Sequence, residues 1–419
     1  MNCNHSNRST FTALSCGIAL GLAGISTAAP LITVPWNGHV GAVSFTFDDA
    51  LETQVLNLKP LLDAMPDVHV TFFLTAFQDR LKDNAAGFAA LANAGHEMGN
   101  HTISHWHLTD ETDEELEEDV VKFADTIEAT MAKYGADVKV VSFATPFCEN
   151  GDHVKTIIDK RHMLNRDCTY DGARTFWDEE PDWMSMPAKI WSRSGATVNE
   201  MLNALDTAAY IGKFDNSIPL EHPITGGSWL IVLQHDVSER MIDNYAINPD
   251  DIKTLFERAV KNGLWVAPIG TVGAYQRAHF IFDKALMTKT DDGYKVTWKV
   301  PHEYMPKSVP LRVALDTSRV DSKAVIMQDG KVLTPESDGH YIIEFMSKSL
   351  TIKTSKEIGL PPKIKRNAKD YTKFTIFDLK GKKLGDANGF KVPESYPKGV
   401  YFIRAEAKGL TPLTKKISR

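Results

Sequence analysis

Val43-Ser44-Phe45-Thr46-Phe47-Asp48-Asp49 is an apolar, β-branched and aromatic run that ends abruptly in two acids. The run predicts a buried strand. A carboxylate just past its last apolar residue gains nothing in stability unless something pairs with it. Side chains alternate along a strand, so Asp48 and Asp49 are expected to point different ways, one free to bind a metal and the other to act as a base. A helix-capping acid pair at a strand-to-helix turn would explain the same two residues.

A second stretch bears on the choice between these readings: Gly95-His96-Glu97-Met98-Gly99-Asn100-His101-Thr102-Ile103-Ser104-His105. His101 and His105 are four residues apart, a spacing that puts both imidazoles on one face of a helical turn. With Asp49 they would form a His-His-carboxylate set with open positions, the form of a catalytic rather than a structural zinc site.

Together, Thr46-Phe47-Asp48-Asp49 and His101-Thr102-Ile103-Ser104-His105 resemble the first two signatures of the polysaccharide deacetylases, the NodB-homology group called carbohydrate esterase family four. The resemblance covers 38–280 and implies an α/β fold, a distorted (β/α)7 barrel with its site at the C-terminal ends of the strands. It implies a divalent metal ion, zinc being the expectation, on Asp49, His101 and His105, with Asp48 as the base. Leu233-Gln234-His235 resembles the fifth motif, whose histidine is the general acid. In Phe143-Ala144-Thr145-Pro146-Phe147, Ala144 stands where the family usually has arginine and Phe147 where it has tyrosine. The Phe147 backbone N–H can still serve an oxyanion site, since it needs no tyrosine ring. A substitute cation is needed to hold the catalytic aspartate, and Arg166 fits this better than Arg174. The fourth motif is poorly matched around 167–171. The implied activity is removal of N- or O-linked acetyl groups from an acetylated polysaccharide; the changes at Ala144 and Phe147 leave a non-catalytic glycan-binding protein as the alternative.

The chain has 419 residues, a formal net charge of -7 and scattered basic residues, which argues against a nucleic-acid partner. Residues 1–28 read as a signal peptide, and no other apolar stretch is long enough for an integral membrane span. Past that segment two cysteines remain, Cys148 and Cys168, either bridged or free buried thiols. The 110–135 region predicts a helix with Leu116, Val120, Phe123, Ile127 and Met131 inward, and a solvated acidic start. Trp177, Trp183 and Trp191, with Met184, Met186 and Pro187, read as core or as a flat wall for sugar rings.

Turn-punctuated alternating runs at 281–355 predict a small β-sandwich, a structural appendage or a carbohydrate-binding module. A linker at 356–370 precedes a β region at 371–419. Its Asp378-Leu379-Lys380-Gly381-Lys382 and Gly399-Val400-Tyr401 pieces resemble the C-terminal sorting domain of the type IX secretion system, which implies secretion machinery as a partner and a secreted or cell-surface location.

Overall fold

The structure is a computed structural model that describes residues 29–168, 174–191, 196–209, 227–239, 245–354, 358, 373–377, 383–398, 400–406 and 413–419. The segment 1–28, nearly all of the linker 356–370, the Asp378-Leu379-Lys380-Gly381-Lys382 piece, Gly399 and the 169–171 part of the fourth-motif stretch lie outside the described residues.

The strands up to residue 266 are Leu31–Thr33 (β1), Ala42–Phe47 (β2), Thr71–Leu74 (β3), Glu97–Asn100 (β4), Ser142–Ala144 (β5), Leu164–Arg166 (β6), Thr175–Phe176 (β7), Lys189–Ile190 (β8), Ser228–Gln234 (β9) and Trp265–Val266 (β10). Parallel pairing runs β6-β5-β4-β3-β2-β9. Residues 183–190 close this curve. Met186 bridges Arg166 in parallel and exchanges backbone bonds with Asn165 and Asp167, and β8 then pairs with Val232 and Leu233 of β9. With that segment as one stave, the ring is a (β/α)7-type barrel, distorted where β10 takes the first two residues of β2 and β3 the last two.

Alternation along β2 explains why its run of six is buried throughout. Phe45 and Phe47 face outward, Phe45 packing on Phe256 of the Pro249–Lys261 helix at 4.9 Å and Phe47 on Phe72 at 5.7 Å. Ser44 and Thr46 have the opposite parity. Ser44 accepts from Trp229 Nε1 at 3.0 Å and donates to the Ala267 carbonyl at 2.8 Å, so its polar atom is paired. Two apolar clusters result, one containing Phe73, Phe143, Leu164, Ile231 and Leu233, the other between the strands and the outer helices.

Several boundaries move. The helix expected at Gly87–Ala94 spans Arg80–Asn93 and stops at Gly95, whose φ of +96° suits glycine. Thr112 and Glu115 form a capping box, so the next helix begins at Asp113 and runs, through a wider turn at Glu117–Lys122, to Lys133. The five apolar residues expected inside it are all buried.

The β region after the barrel is not contiguous in sequence. One antiparallel sheet is made of Leu286–Thr290, Gly293–Thr297, Ser349–Lys353, Val325–Gln328 and Lys331–Val332. The other joins Pro310–Leu315 and Tyr341–Glu344 to β1, which precedes the barrel. Its core continues the barrel core, with Phe282 against Trp298 at 5.2 Å. The last four strands, from Lys373 to Ser418, form a separate antiparallel sheet with a small core of Phe374, Ile376, Val392, Tyr401 and Ile403. Among the described residues no helix is long and apolar enough to cross a membrane.

Candidate active site

Asp48 and Asp49 follow β2 directly, but strand alternation does not govern where they point. Asp49 and Ala50 have left-handed backbones, with φ of 79° and 52°, and this turn brings Asp49 back toward the barrel mouth beside Asp48. The histidines also meet without a helix. His101 and His105 sit on a loop that Thr102 and His105, with φ of 69° and 51°, fold back on itself. Asn100 Oδ1 accepts from the Thr102 N–H at 2.9 Å. Asp119 accepts from the Ile103 and Ser104 N–H groups at 2.6 and 2.8 Å and from Ser104 Oγ at 2.7 Å. Asp119 is therefore no part of a solvated acidic face: it is buried and anchors the histidine loop. Its spacing from Leu116 and Phe123, on the helix's inner stripe, is the sequence signal for it.

Asp49, His101 and His105 each offer one ligand atom, and these atoms lie within 4.8 Å of one another. Asp49 Oδ1 is 3.1 Å from His105 Nε2 and 3.6 Å from His101 Nε2, yet it is a buried atom without a well-formed hydrogen bond. His101 Nδ1–H donates to the Ala144 carbonyl at 2.7 Å, which leaves Nε2 as the free donor atom. Burial lowers the His101 pKa to about 4 despite the nearby Asp48 and Asp49, so its imidazole is neutral, the form that ligates metal. Burial of Asp49 is outweighed by the His105 imidazole beside it and by His101 and His235, which hold its carboxyl below the usual range. Burial at His105 is likewise outweighed, by Asp49, and its pKa is raised. A mixed nitrogen and oxygen set of this size fits a divalent transition metal.

Asp48 is buried, and its Oδ2 pairs with Arg166 Nη2. The same oxygen lies 3.9 Å from His101 Nε2 and 4.0 Å from His235 Nε2, while Oδ1 has no hydrogen-bond partner among the described residues. Arg166 is fully buried at the end of β6, opposite Ala144 in the β5–β6 register, with its guanidinium 5.3 Å from the Phe73 ring centre. Arg174 lies at the opposite end of β9, with Nη1 3.5 Å from Ser228 Oγ. His235 is half-buried, and its Nδ1 has no hydrogen-bond partner among the described residues. Gln54, which sequence reasoning missed, donates to the carbonyls of Asp48 and His235 at 2.6 and 3.0 Å and joins the two strand ends.

The tryptophans expected as core or sugar wall are core. Trp177, Trp183 and Trp191 are buried, Trp177 between Trp36 at 5.2 Å and His279 at 4.2 Å. Exposed aromatics lie elsewhere. Phe147 is 50% exposed, its ring 4.9 Å from His105 and stacked on His107 at 4.3 Å; Phe77 is 5.9 Å from His105. Trp106, 57% exposed, contacts His107 at 5.6 Å, and the half-exposed Tyr245 lies 4.8 Å from His235.

Phe147 follows β5 in a turn in which both it and Cys148 are left-handed, with φ of 55° and 62°. Such residues cost about 1–3 kcal/mol each and persist where the surroundings impose them. Cys148 is bridged to Cys168, with Cα atoms 5.4 Å apart, which settles the choice between bridged and free cysteines.

The strand ends of an α/β barrel thus carry a three-ligand centre of metal type, open beside a second, arginine-held aspartate. Residues 37–163 match the family model described as polysaccharide deacetylase. The peptidoglycan-N-acetylglucosamine deacetylase of Bacillus cereus is 34% identical over 92 residues, which is 21% of this chain and 39% of that protein. The chain therefore spans about two fifths of that curated relative. Similar solved structures include a CE4 family pseudoenzyme from Bacillus anthracis, at 20% identity and a TM-score of 0.37, covering 55% of this chain and 65% of the other. Another is the Xyl-CE4 domain of a multidomain xylanase from the hindgut metagenome of Trinervitermes trinervoides, at 14% identity and a TM-score of 0.34, covering 55% and 89%.

Proposed function

We propose that this chain is a secreted, metal-dependent deacetylase that removes N- or O-linked acetyl groups from an acetylated polysaccharide. The observation that carries the reading is the juxtaposition of Asp49, His101 and His105 with an Asp48 whose Oδ1 is left unpaired while Arg166 holds Oδ2. A divalent ion on the three ligands, zinc by donor type, would supply the Lewis acidity that acyl hydrolysis uses. Asp48 Oδ1 takes the proton of the attacking water, and Arg166 fixes the carboxylate for that transfer. The Phe147 N–H, which makes no hydrogen bond outside its own turn among the described residues, donates to the developing oxyanion. His235, on the other side of Asp48, returns a proton to the departing amine or alcohol.

A glycan fits the rim. Phe77, Trp106, Phe147 and Tyr245 are exposed, and each touches His105, His107 or His235. Flat rings of this kind suit sugar faces. The Cys148–Cys168 bridge is consistent with an oxidising compartment, and the C-terminal sheet with delivery by a secretion machinery to the outside or the cell surface.

The reading is tested by acetate release from acetylated chitooligosaccharides and from acetylated xylan, using zinc-loaded protein and Asp48→Asn. Release from one polymer, lost in the variant, supports it and separates amide from ester. No release from either, with zinc bound, favours a glycan-binding protein that has lost turnover, the reading to which Ala144 and Phe147 point.

A further inference from the structure

The turn that carries Phe147 is poorly held by its own hydrogen bonds. Cys148 N–H reaches the Thr145 carbonyl at 3.4 Å and Glu149 N–H the Pro146 carbonyl at 3.3 Å, both long and both inside the turn. Two consecutive left-handed residues without glycine do not persist on such bonds alone. Thr145, at its start, is tied to β6 by its N–H to the Arg166 carbonyl at 3.3 Å and its Oγ1 to Asn165 Oδ1 at 3.0 Å. Beyond Pro146, among the described residues, the Phe147 ring meets His105 at 4.9 Å, and two further ties hold the turn. His107 stacks on the Phe147 ring with 18° between planes and bonds to Glu149 Oε2 at 2.7 Å, on the solvent side. On the other side Cys148 is bridged to Cys168.

Cys168 is two residues beyond Arg166. Its N–H donates to Asp167 Oδ1 at 2.8 Å, and Asp167 Oδ2 accepts from Ser185 Oγ at 2.8 Å, so the far end of the bridge is fixed to the barrel-closing segment. The bridge therefore joins the residue after the oxyanion donor to the strand whose arginine holds the base. The metal ligands have anchors of their own, though the Phe147 ring touches His105 at 4.9 Å. His101 is held by the Ala144 carbonyl within the barrel, and the His105 loop by Asn100, Thr102 and Asp119.

We infer that the Cys148–Cys168 disulfide is a positioning element of the active site: it sets the Phe147 amide in register with the Arg166–Asp48 pair, and turnover requires it while metal binding does not. This rests on the deacetylase reading above. It goes beyond it by making activity conditional on the oxidised chain.

The experiment compares zinc-loaded wild type, wild type reduced with tris(2-carboxyethyl)phosphine, and Cys148→Ser/Cys168→Ser, on whichever acetylated oligosaccharide the wild type deacetylates. In the reduction the phosphine takes up the oxygen of one water to become its oxide, and the two sulfurs leave as thiols. Oxidised glutathione reverses this, yielding two reduced glutathiones. The expected result is a fall in kcat of roughly tenfold to a hundredfold, the scale of a displaced catalytic group. KM and bound zinc stay unchanged, and reoxidised wild type recovers. If the double variant does not fold, the reduced wild type, checked by near-ultraviolet circular dichroism below its melting temperature, gives the same readout. An unchanged kcat with a lowered Tm overturns the inference, because the bridge is then only a fold crosslink. A wild type that binds zinc but releases no acetate removes the deacetylase reading and this inference together.

Discussion

The two ends of the barrel treat enclosed polar groups in opposite ways. At the start of β4, Glu97 uses both oxygens: Oε1 accepts from Ser142 Oγ at 2.7 Å, and Oε2 from the Gly270 N–H at 2.8 Å and Thr71 Oγ1 at 3.0 Å. Its partner Gly270 opens the Ile269–Phe282 helix, so the carboxyl does the work of a helix cap. At the far end, among the described residues, Asp48 Oδ1 and His235 Nδ1 are buried without a hydrogen-bond partner, and Asp49 Oδ1 meets only the His105 and His101 imidazoles, at 3.1 and 3.6 Å. A fold has no use for unpaired buried atoms, whereas a centre that receives a metal, a water and a substrate does. At these two ends exhausted bonding goes with structure and unspent bonding with the site, although buried atoms such as Gln276 Oε1 and Arg312 Nε also lack partners among the described residues.

Substitutions at the two ends should therefore separate activity from stability. The largest effect is expected from His101→Ala, which removes the most buried ligand: acetate release should fall at least about a thousandfold, and zinc measured after dialysis should fall with it. Retained activity in the metal-stripped variant would place the chemistry elsewhere.

Arg166→Met should lose about a hundredfold in kcat with zinc retained, because it frees Asp48 without touching a ligand. It also leaves a buried carboxylate unpaired, a change worth about 3–5 kcal/mol in stability, which urea denaturation would register. A variant that unfolds more easily yet turns over normally would mean that Arg166 pairs for the fold alone.

His162 is the exhausted counterpart of His235. Its Nε2 accepts from Asn100 Nδ2 at 3.1 Å and its Nδ1–H faces the Ile158 carbonyl at 3.2 Å, so a second ring proton would meet another N–H. Burial, aided by Arg161, lowers its pKa from 6.5 to about 3. Between those values the unfolded chain binds the extra proton and the folded chain does not, so this contribution is present above about pH 6.5 and is lost as the pH falls. From pH 7 to pH 5 it amounts to about 2 kcal/mol. The drop in urea-unfolding free energy over that range should be smaller by this amount in His162→Gln, and an equal drop would remove His162 from the account.

The sequence made the chemistry legible further than the geometry. Asp48, Asp49, His101, His105, Arg166 and His235 could be named because motif spacing survives in sequence, and the structure brings all six to one mouth. What failed was reasoning that assumed regular backbone. Asp49 reaches the ligand set through a left-handed residue that strand parity does not foresee, and His105 through another. Long-range placement was equally hidden: β1 pairs with a strand near residue 313, and the tryptophans went inside while Trp106 and Tyr245 stayed out. Such outcomes depend on which surfaces meet, and residue type alone does not carry that.

Glu97→Gln puts the contrast to its finest test. The amide keeps one acceptor for the Gly270 N–H and Thr71, and Ser142 Oγ can turn from donor to acceptor, so the stability change at neutral pH should stay within about 1 kcal/mol and kcat should not move. Its pH dependence has a definite sign. Burial of the carboxyl, opposed by the bonds from Ser142, Gly270 and Thr71, raises the Glu97 pKa above 4.5. The folded chain then holds the proton to higher pH than the unfolded one, and the stability this gives is present at low pH and lost as pH rises through the raised value. Glutamine has no such loss. Relative to wild type, the variant should therefore gain stability in urea titrations as the pH rises above about 4.5. A fall in kcat instead would show that the two ends are coupled through β4, and that complete hydrogen bonding is no guide to which carboxylates are idle.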